Sequence, residues 1–233
     1  MSDTNWTPRE KALETHRRLL QAYGEPTWRP PLDPVSELVS TILSQNTNDA
    51  NRDMAFDRLR ARLPTWEQVR DADPQVVIEA IRPAGLANQK GPRIQAALRR
   101  ITEERGRLEL DFLADWPLDE AKAWLSSLKG VGPKTAAIVL LFSLGRPAFP
   151  VDTHIHRLSK RLGLIGPRVS REKAHTELEQ LLPPDAYYAF HLNLIRHGRQ
   201  VCTSRKPRCR DCFLRDLCDF YQAQQVENPR KDI

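Results

Sequence analysis

No cysteine occurs in the first 201 residues, and the four in the chain, Cys202, Cys209, Cys212 and Cys218, fall in one short C-terminal segment. That crowding excludes a disulfide framework spread through the fold. In a chain without an export signal it points to metal instead. No apolar run approaches the roughly 18 residues of a membrane span, and Met1 to Glu10 is polar with no signal-peptide core behind it. The expectation is a monomeric protein that stays where it is made: cytoplasmic, nucleoid-associated if bacterial, neither secreted nor membrane-bound. Sustained period-two alternation is missing as well, which argues against a sheet. Long internal repeats and low-complexity linkers are also lacking.

What is present is charge and helix signal. The formal charge of +6 and pI near 9.3 favour an acidic partner, without separating nucleic acid from an anionic membrane surface. With 40% hydrophobic residues in 233, the chain can build a core as one large domain or two small ones. Thr7-Pro8-Arg9-Glu10 reads as an N-cap, a first-turn proline and a capping-box glutamate, opening a helix that stops near Gly24. Asp33-Pro34 opens a second, whose Val35, Leu38, Val39, Ile42 and Leu43 share one face and which runs into Ser44-Gln45-Asn46-Thr47. Thr65 with Gln68, and Asp73-Pro74, open two more. Gly85, Gly91, Gly130 and Gly145 read as stops or turns, and Pro117 to Leu128 carries Ala121, Trp124, Leu125 and Leu128 on one face. The reading is an all-α protein of roughly ten short helices, with a polar, disordered tail over 222–233.

Two local features carry chemistry. Between Lys129 and Arg146 the only charge is Lys134, at the head of an otherwise apolar run, directly after Gly130-Val131-Gly132-Pro133. Glycines there permit a tight hairpin between helices, and the following helix start is a phosphate-binding surface; many helical proteins join helices this way with no ligand. The positive end of a helix disfavours an ammonium, and a depressed pKa is what an amine nucleophile needs; a snorkelling surface lysine is the bland account. One helix later comes Val151-Asp152-Thr153-His154, where Asp152 or Thr153 makes an ordinary N-cap, or Asp152 supplies a carboxylate to the amine.

The cysteines are spaced C-x6-C-x2-C-x5-C, which suits tetrahedral zinc or a four-iron cluster. Seven basic residues against two acidic lie between Ile195 and Cys218, with Arg205, Lys206 and Arg208 inside the first cysteine loop. A metal-clipped loop would present those cations to phosphate; a solvated basic face is the alternative.

The segments Leu128–Ala136 and Val151–His154, with the cysteine spacing, resemble in that order the endonuclease III branch of the helix-hairpin-helix DNA glycosylases, over roughly Leu38 to Cys218. The resemblance implies a six-helix barrel over 27–146 with its hairpin motif at about 127–136. It implies an iron-sulfur domain from 1–26 plus 147–221, and a DNA-binding cleft between the two. It further implies a [4Fe-4S] cluster on Cys202, Cys209, Cys212 and Cys218, and double-stranded DNA with a damaged base or abasic site as partner. Lys134 then corresponds to the nucleophile that attacks C1′ of a flipped nucleotide, facing the catalytic carboxylate Asp152 across the cleft. Gln45 matches a residue that fills the gap left by that nucleotide, and Leu86 an intercalating leucine. Gly130, Val131, Gly132, Thr135, His154, Arg205, Lys206 and Arg208 complete the expected DNA surface.

The implied activity is base excision with associated abasic-site β-elimination, removing oxidised pyrimidines from duplex DNA. A monofunctional glycosylase for mismatched, alkylated or methylated bases, and a non-enzymatic iron-sulfur DNA-binding protein, are the alternatives. Pro133 stands where many members have arginine. Ser44–Asp49 and Ala148–Thr153 are closer to a branch that includes plant 5-methylcytosine glycosylases.

Overall fold

The computed structural model describes residues 6–27 and 31–227, with the side chains of 226 and 227 excepted. The chain divides into two compact units, one of Met1–Arg29 with Pro147–Ile233 and the other of Pro30–Arg146. Helix α1 (Pro8–Tyr23) begins the first unit. The chain then builds the second from α2 (Pro34–Ser44), α3 (Asp49–Arg62), α4 (Trp66–Asp71), α5 (Pro74–Ala80), α6 (Ala87–Arg105), α7 (Leu118–Ser127) and α8 (Pro133–Ile138). It returns to the first with α9 (Thr153–Leu162), α10 (Arg171–Leu181), α11 (Tyr187–Gln200) and α12 (Asp219–Glu227). The fold is all-α; no strand occurs among the described residues, and no described helix is long and apolar enough to cross a membrane.

The helix starts are local chemistry. Thr7 and Glu10 form the reciprocal capping box, as do Thr65 and Gln68, while the carboxylates of Asp33 and Asp73 cap α2 and α5 ahead of a first-turn proline. Each such cap satisfies backbone N–H groups that have no partner inside the helix and contributes about 1 kcal/mol.

In the 30–146 unit, α2 is buried from Pro34 through Leu43, so it is the central strut rather than a one-sided surface helix. Around it pack α3, α6, α8 and the turn that follows α8. Leu38, Ile42, Leu59, Ile94, Leu98, Ile101, Val139 and Leu140 have no exposed surface. Each contributes about 1.5–3 kcal/mol of burial, and truncation of one to alanine costs about 2–5 kcal/mol.

Gly91, expected at a stop or turn, lies inside α6 instead. A Cβ there would come within 3.0 Å of Ile78 Cγ1, so the glycine serves the close approach of α5 to α6 and not a change of chain direction. The apolar run after Lys134 is helical and buried, but it widens into a five-residue π-helical turn, Val139–Ser143, before Gly145 ends it at φ +62°. Arg146 closes the unit: its amide donates to Leu140 O at 2.8 Å, and its guanidinium donates to the carbonyls of Leu113, Ala114 and Trp116.

The unit built from the chain ends has an aromatic centre. Phe149 meets Tyr187 edge-on at 5.4 Å and lies 5.9 Å from Phe190, under α1, α10 and α11. Helix α1 also grips the C-terminal segment, through Arg18 to Asp216 at 2.6 and 2.8 Å and to Phe213 O, and through Lys11 to Asp219. Helix α12 runs through Glu227, into the stretch expected to be a disordered tail; 228–233 lie outside the described residues.

Candidate functional site

Helices α7 and α8 join through a turn in which Val131 N–H donates to Leu128 O at 3.0 Å. Gly130 is needed there twice over. Its φ is +86°, and a Cβ would lie 2.7 Å from Arg93 Cδ, whose side chain packs across it. Val131 and Thr135 are each 4% exposed, so only their backbone is available to a ligand, while Gly130 and Gly132 are exposed. Gly132 supplies no side-chain cap to α8. Pro133 takes the first helical position and Lys134 the second, where its side chain is half-buried.

Gln45, at the end of α2, is brought to this hairpin: its Nε2 donates to Gly130 O at 3.0 Å. Asn46, next along, has φ +53°. Leu86, at the start of α6, has φ +52° and is 48% exposed. These two are the only non-glycine residues with positive φ among those described. Asparagine tolerates the left-handed region; leucine does not, at about 1–2 kcal/mol. An apolar side chain held outward on a strained backbone is unlike a core leucine displaced by chance.

Asp152 lies in the other unit as the N-cap of α9, with Oδ1 accepting from Ile155 N at 2.7 Å. The N-cap account of this residue is therefore correct, and it fixes the carboxylate by its own backbone. His154, two residues on, is half-buried, and burial lowers its pKa. Its Nδ1 accepts from Arg157 Nη2 at 3.1 Å, because guanidinium has no lone pair to offer. The same Nη2 donates to Gly198 O at 3.1 Å and Cys202 O at 2.9 Å. Gly198 on α11 makes room for this pair; a Cβ would lie 3.0 Å from His154 Nδ1.

The four cysteines are partly buried and line one recess, together with Val201, Pro207 and Tyr221. No three of the described His, Cys, Asp and Glu side chains converge at the spacing of a single metal ion. A lone tetrahedral zinc, with bonds of about 2.3 Å, needs such convergence. Burial pushes the Cys212 thiol up to about 11 and raises Cys209 and Cys218, so their deprotonated form needs a cationic partner.

Arg161 holds the first cysteine loop by donating to Thr203 O at 2.8 Å, Ser204 O at 2.9 Å and Cys202 Sγ at 3.2 Å. His197 Nε2 is 3.3 Å from Cys212 Sγ, with Tyr23 hydroxyl at 3.0 Å from its Nδ1. Arg205, Lys206 and Arg208 are exposed on the loop, Arg208 also donating back to Gln200 O.

Sequence reasoning passed over Lys90, Arg157 and Arg161. Only Lys90 left a trace, because it falls on the apolar stripe of α6 with Ile94, Leu98 and Ile101.

A family model described as HhH-GPD superfamily base excision DNA repair protein matches residues 39–184. Endonuclease III of Thermotoga maritima is 36% identical over 192 residues, which cover 82% of this chain and 85% of that one. A candidate DNA glycosylase of Arabidopsis thaliana is 39% identical over 169 residues, 72% of this chain, and the match spans 57% of the plant protein's length. A solved endonuclease III–DNA covalent intermediate has a similar fold, with a TM-score of 0.80 and 25% identity over 94% of this chain and all of that one. The matched span takes in the hairpin, Lys134 and Asp152, and the structural likeness extends over both units; this chain belongs to the endonuclease III family of HhH-GPD base excision repair DNA glycosylases.

Proposed function

We propose that this chain is a bifunctional DNA glycosylase and abasic-site lyase, acting on oxidised pyrimidines in duplex DNA through a Schiff base on Lys134. The observation that carries the reading is an amine at the second position of α8, immediately after a hairpin in which nothing lies within 4 Å of the place a Cβ on Gly132 would take. Backbone N–H groups at such a helix start donate to a phosphate without reading a base. The exposed Arg205 and Lys206 add sequence-independent attraction to the duplex.

In the reaction, the neutral Lys134 amine bonds to C1′ as the bond from C1′ to the base breaks. The base departs with that electron pair and is protonated. Ring opening at C1′ then gives the iminium; loss of a C2′ proton expels the 3′ phosphate, and water hydrolyses the imine. Asp152, oriented by its cap to Ile155 N, stabilises positive charge developing on the sugar and exchanges the proton of the amine.

Cys202, Cys209, Cys212 and Cys218 would hold a [4Fe-4S] cluster. Thiols that line one volume, and that burial keeps protonated unless a cation is bound, suit a multi-metal group. With such a group bound, the four cysteines would hold the 202–218 loop in one shape and so fix its cations.

Borohydride trapping on DNA bearing an abasic site tests the central claim. The parent forms a covalent adduct, Lys134→Gln does not, and equal trapping by both would overturn the role of Lys134. A purified sample is expected to be brown, with iron and sulfide in equal amounts; a colourless protein containing zinc removes the cluster assignment. A panel of duplexes with single defined lesions identifies the base excised.

A further inference from the structure

Lys90 has a position that neither the helix pattern nor the proposed chemistry requires. Its side chain is 1% exposed, and its Nζ donates to Leu43 O and to Ala84 O, both at 2.7 Å. Leu43 is in the last turn of α2, where carbonyls lack helical partners and the negative end of the dipole attracts a cation. Ala84 ends the short turn Arg82–Ala84.

Leu43 stands two residues before Gln45 and three before the strained Asn46, and Ala84 stands two residues before the strained Leu86, so each carbonyl is in the short segment that leads to one of them. Strained backbone persists only where its surroundings over-determine it. A buried ammonium is a costly way to tie two loop ends, and burial alone lowers this one to about 8. One helical turn further along α6, Arg93 packs over Gly130, whose carbonyl receives Gln45.

We propose that Lys90 is a positioning residue for nucleotide extrusion: its ammonium ties the segment bearing Gln45 to the segment bearing Leu86, so that the two enter the duplex as one rigid probe. The inference rests on the reading of Gln45 and Leu86 as the groups that fill the opened duplex. It assigns Lys90 no contact with DNA and no part in bond cleavage.

The test compares two substrates for Lys90→Met, which keeps the length of the side chain and removes the donors. Single-turnover excision of a damaged base from duplex DNA requires extrusion; borohydride trapping on a single-stranded abasic oligonucleotide does not. The expected result is a loss of about 10- to 100-fold on the duplex, with single-strand trapping at the parental level. Equal loss on both substrates, or no loss on either, overturns the inference. A parent inactive on both would instead overturn the proposed function, so the two failures are distinct. Should Lys90→Met fail to fold, Lys90→Gln, which retains one N–H donor group, goes through the same pair of substrates and is judged by the same outcomes.

Discussion

Replacing Lys90 with methionine should change how stability depends on pH, in a direction the structure dictates. In the folded protein the Lys90 pKa is lowered by burial to about 8 from the ordinary 10.5. The unfolded chain therefore holds this proton more tightly, and between those values folding becomes more favourable as pH rises. Below pH 8 the folded state carries the whole penalty, roughly 3 kcal/mol at about 1.36 kcal/mol per pH unit. Between about pH 7 and pH 10 the parent recovers about 2–3 kcal/mol that Lys90→Met never lost. For a chain of this length that corresponds to about 5–10 °C in melting midpoint.

The assay is thermal unfolding followed by tryptophan fluorescence, at one scan rate, on parent and variant at each pH. Other titrating groups cancel in the difference between them, and whichever protein is more stable near neutrality, the difference must move in favour of the parent as pH rises. A parent-to-variant gap that stays constant over this range would show that Lys90 does not lose its proton more readily in the folded state, and the account of a buried, desolvated ammonium would fall.

The other predictions concern single contacts. Gly198→Ala places a methyl 3.0 Å from His154 Nδ1 and 3.3 Å from Arg157 Nη2, and should destabilise by about 1–3 kcal/mol; an unchanged melting midpoint would refute that crowding. Arg161→Ala removes the donors that hold Thr203, Ser204 and Cys202 Sγ, and should speed the loss of visible absorbance on exposure to chelator; a parental rate would count against Arg161 as the loop's clamp. Gln45→Ala breaks the solvent-exposed bond to Gly130 O, so stability should stay within about 0.5 kcal/mol of the parent while duplex excision falls; preserved excision would remove Gln45 from the reading. Asp152→Asn keeps an oxygen for the cap on Ile155 N and should bind abasic DNA yet turn over slowly; unchanged turnover would end its catalytic role.

Much of the fold was legible because its determinants are short-range. Thr7, Asp33, Thr65 and Asp73 cap helices through bonds to residues two or three positions on, and the four helices they open begin where those signals place them. Local spacing also marked the Gly130 hairpin and the burial that follows Lys134. It misread Gly91, because a glycine that permits one helix to approach another looks the same in sequence as one that ends a helix. It had no rule for the π-helical turn at Val139–Ser143, which changes the hydrogen-bonding step within a uniformly apolar run.

By itself, then, the sequence determined that the chain would be helical, where several of its helices would start, and which residue types stood at the hairpin, at the cap of α9 and in the cysteine segment. Local backbone chemistry suffices for those. Tertiary structure alone decided that Gln45 reaches the hairpin carbonyl 85 residues away and that Lys90 is inside, joined to a carbonyl 47 residues back. It also decided that Leu86 is outside despite being a leucine. A side chain's partner across the fold depends on how whole helices pack, and that is set by the sum of many buried contacts rather than by any spacing along the chain.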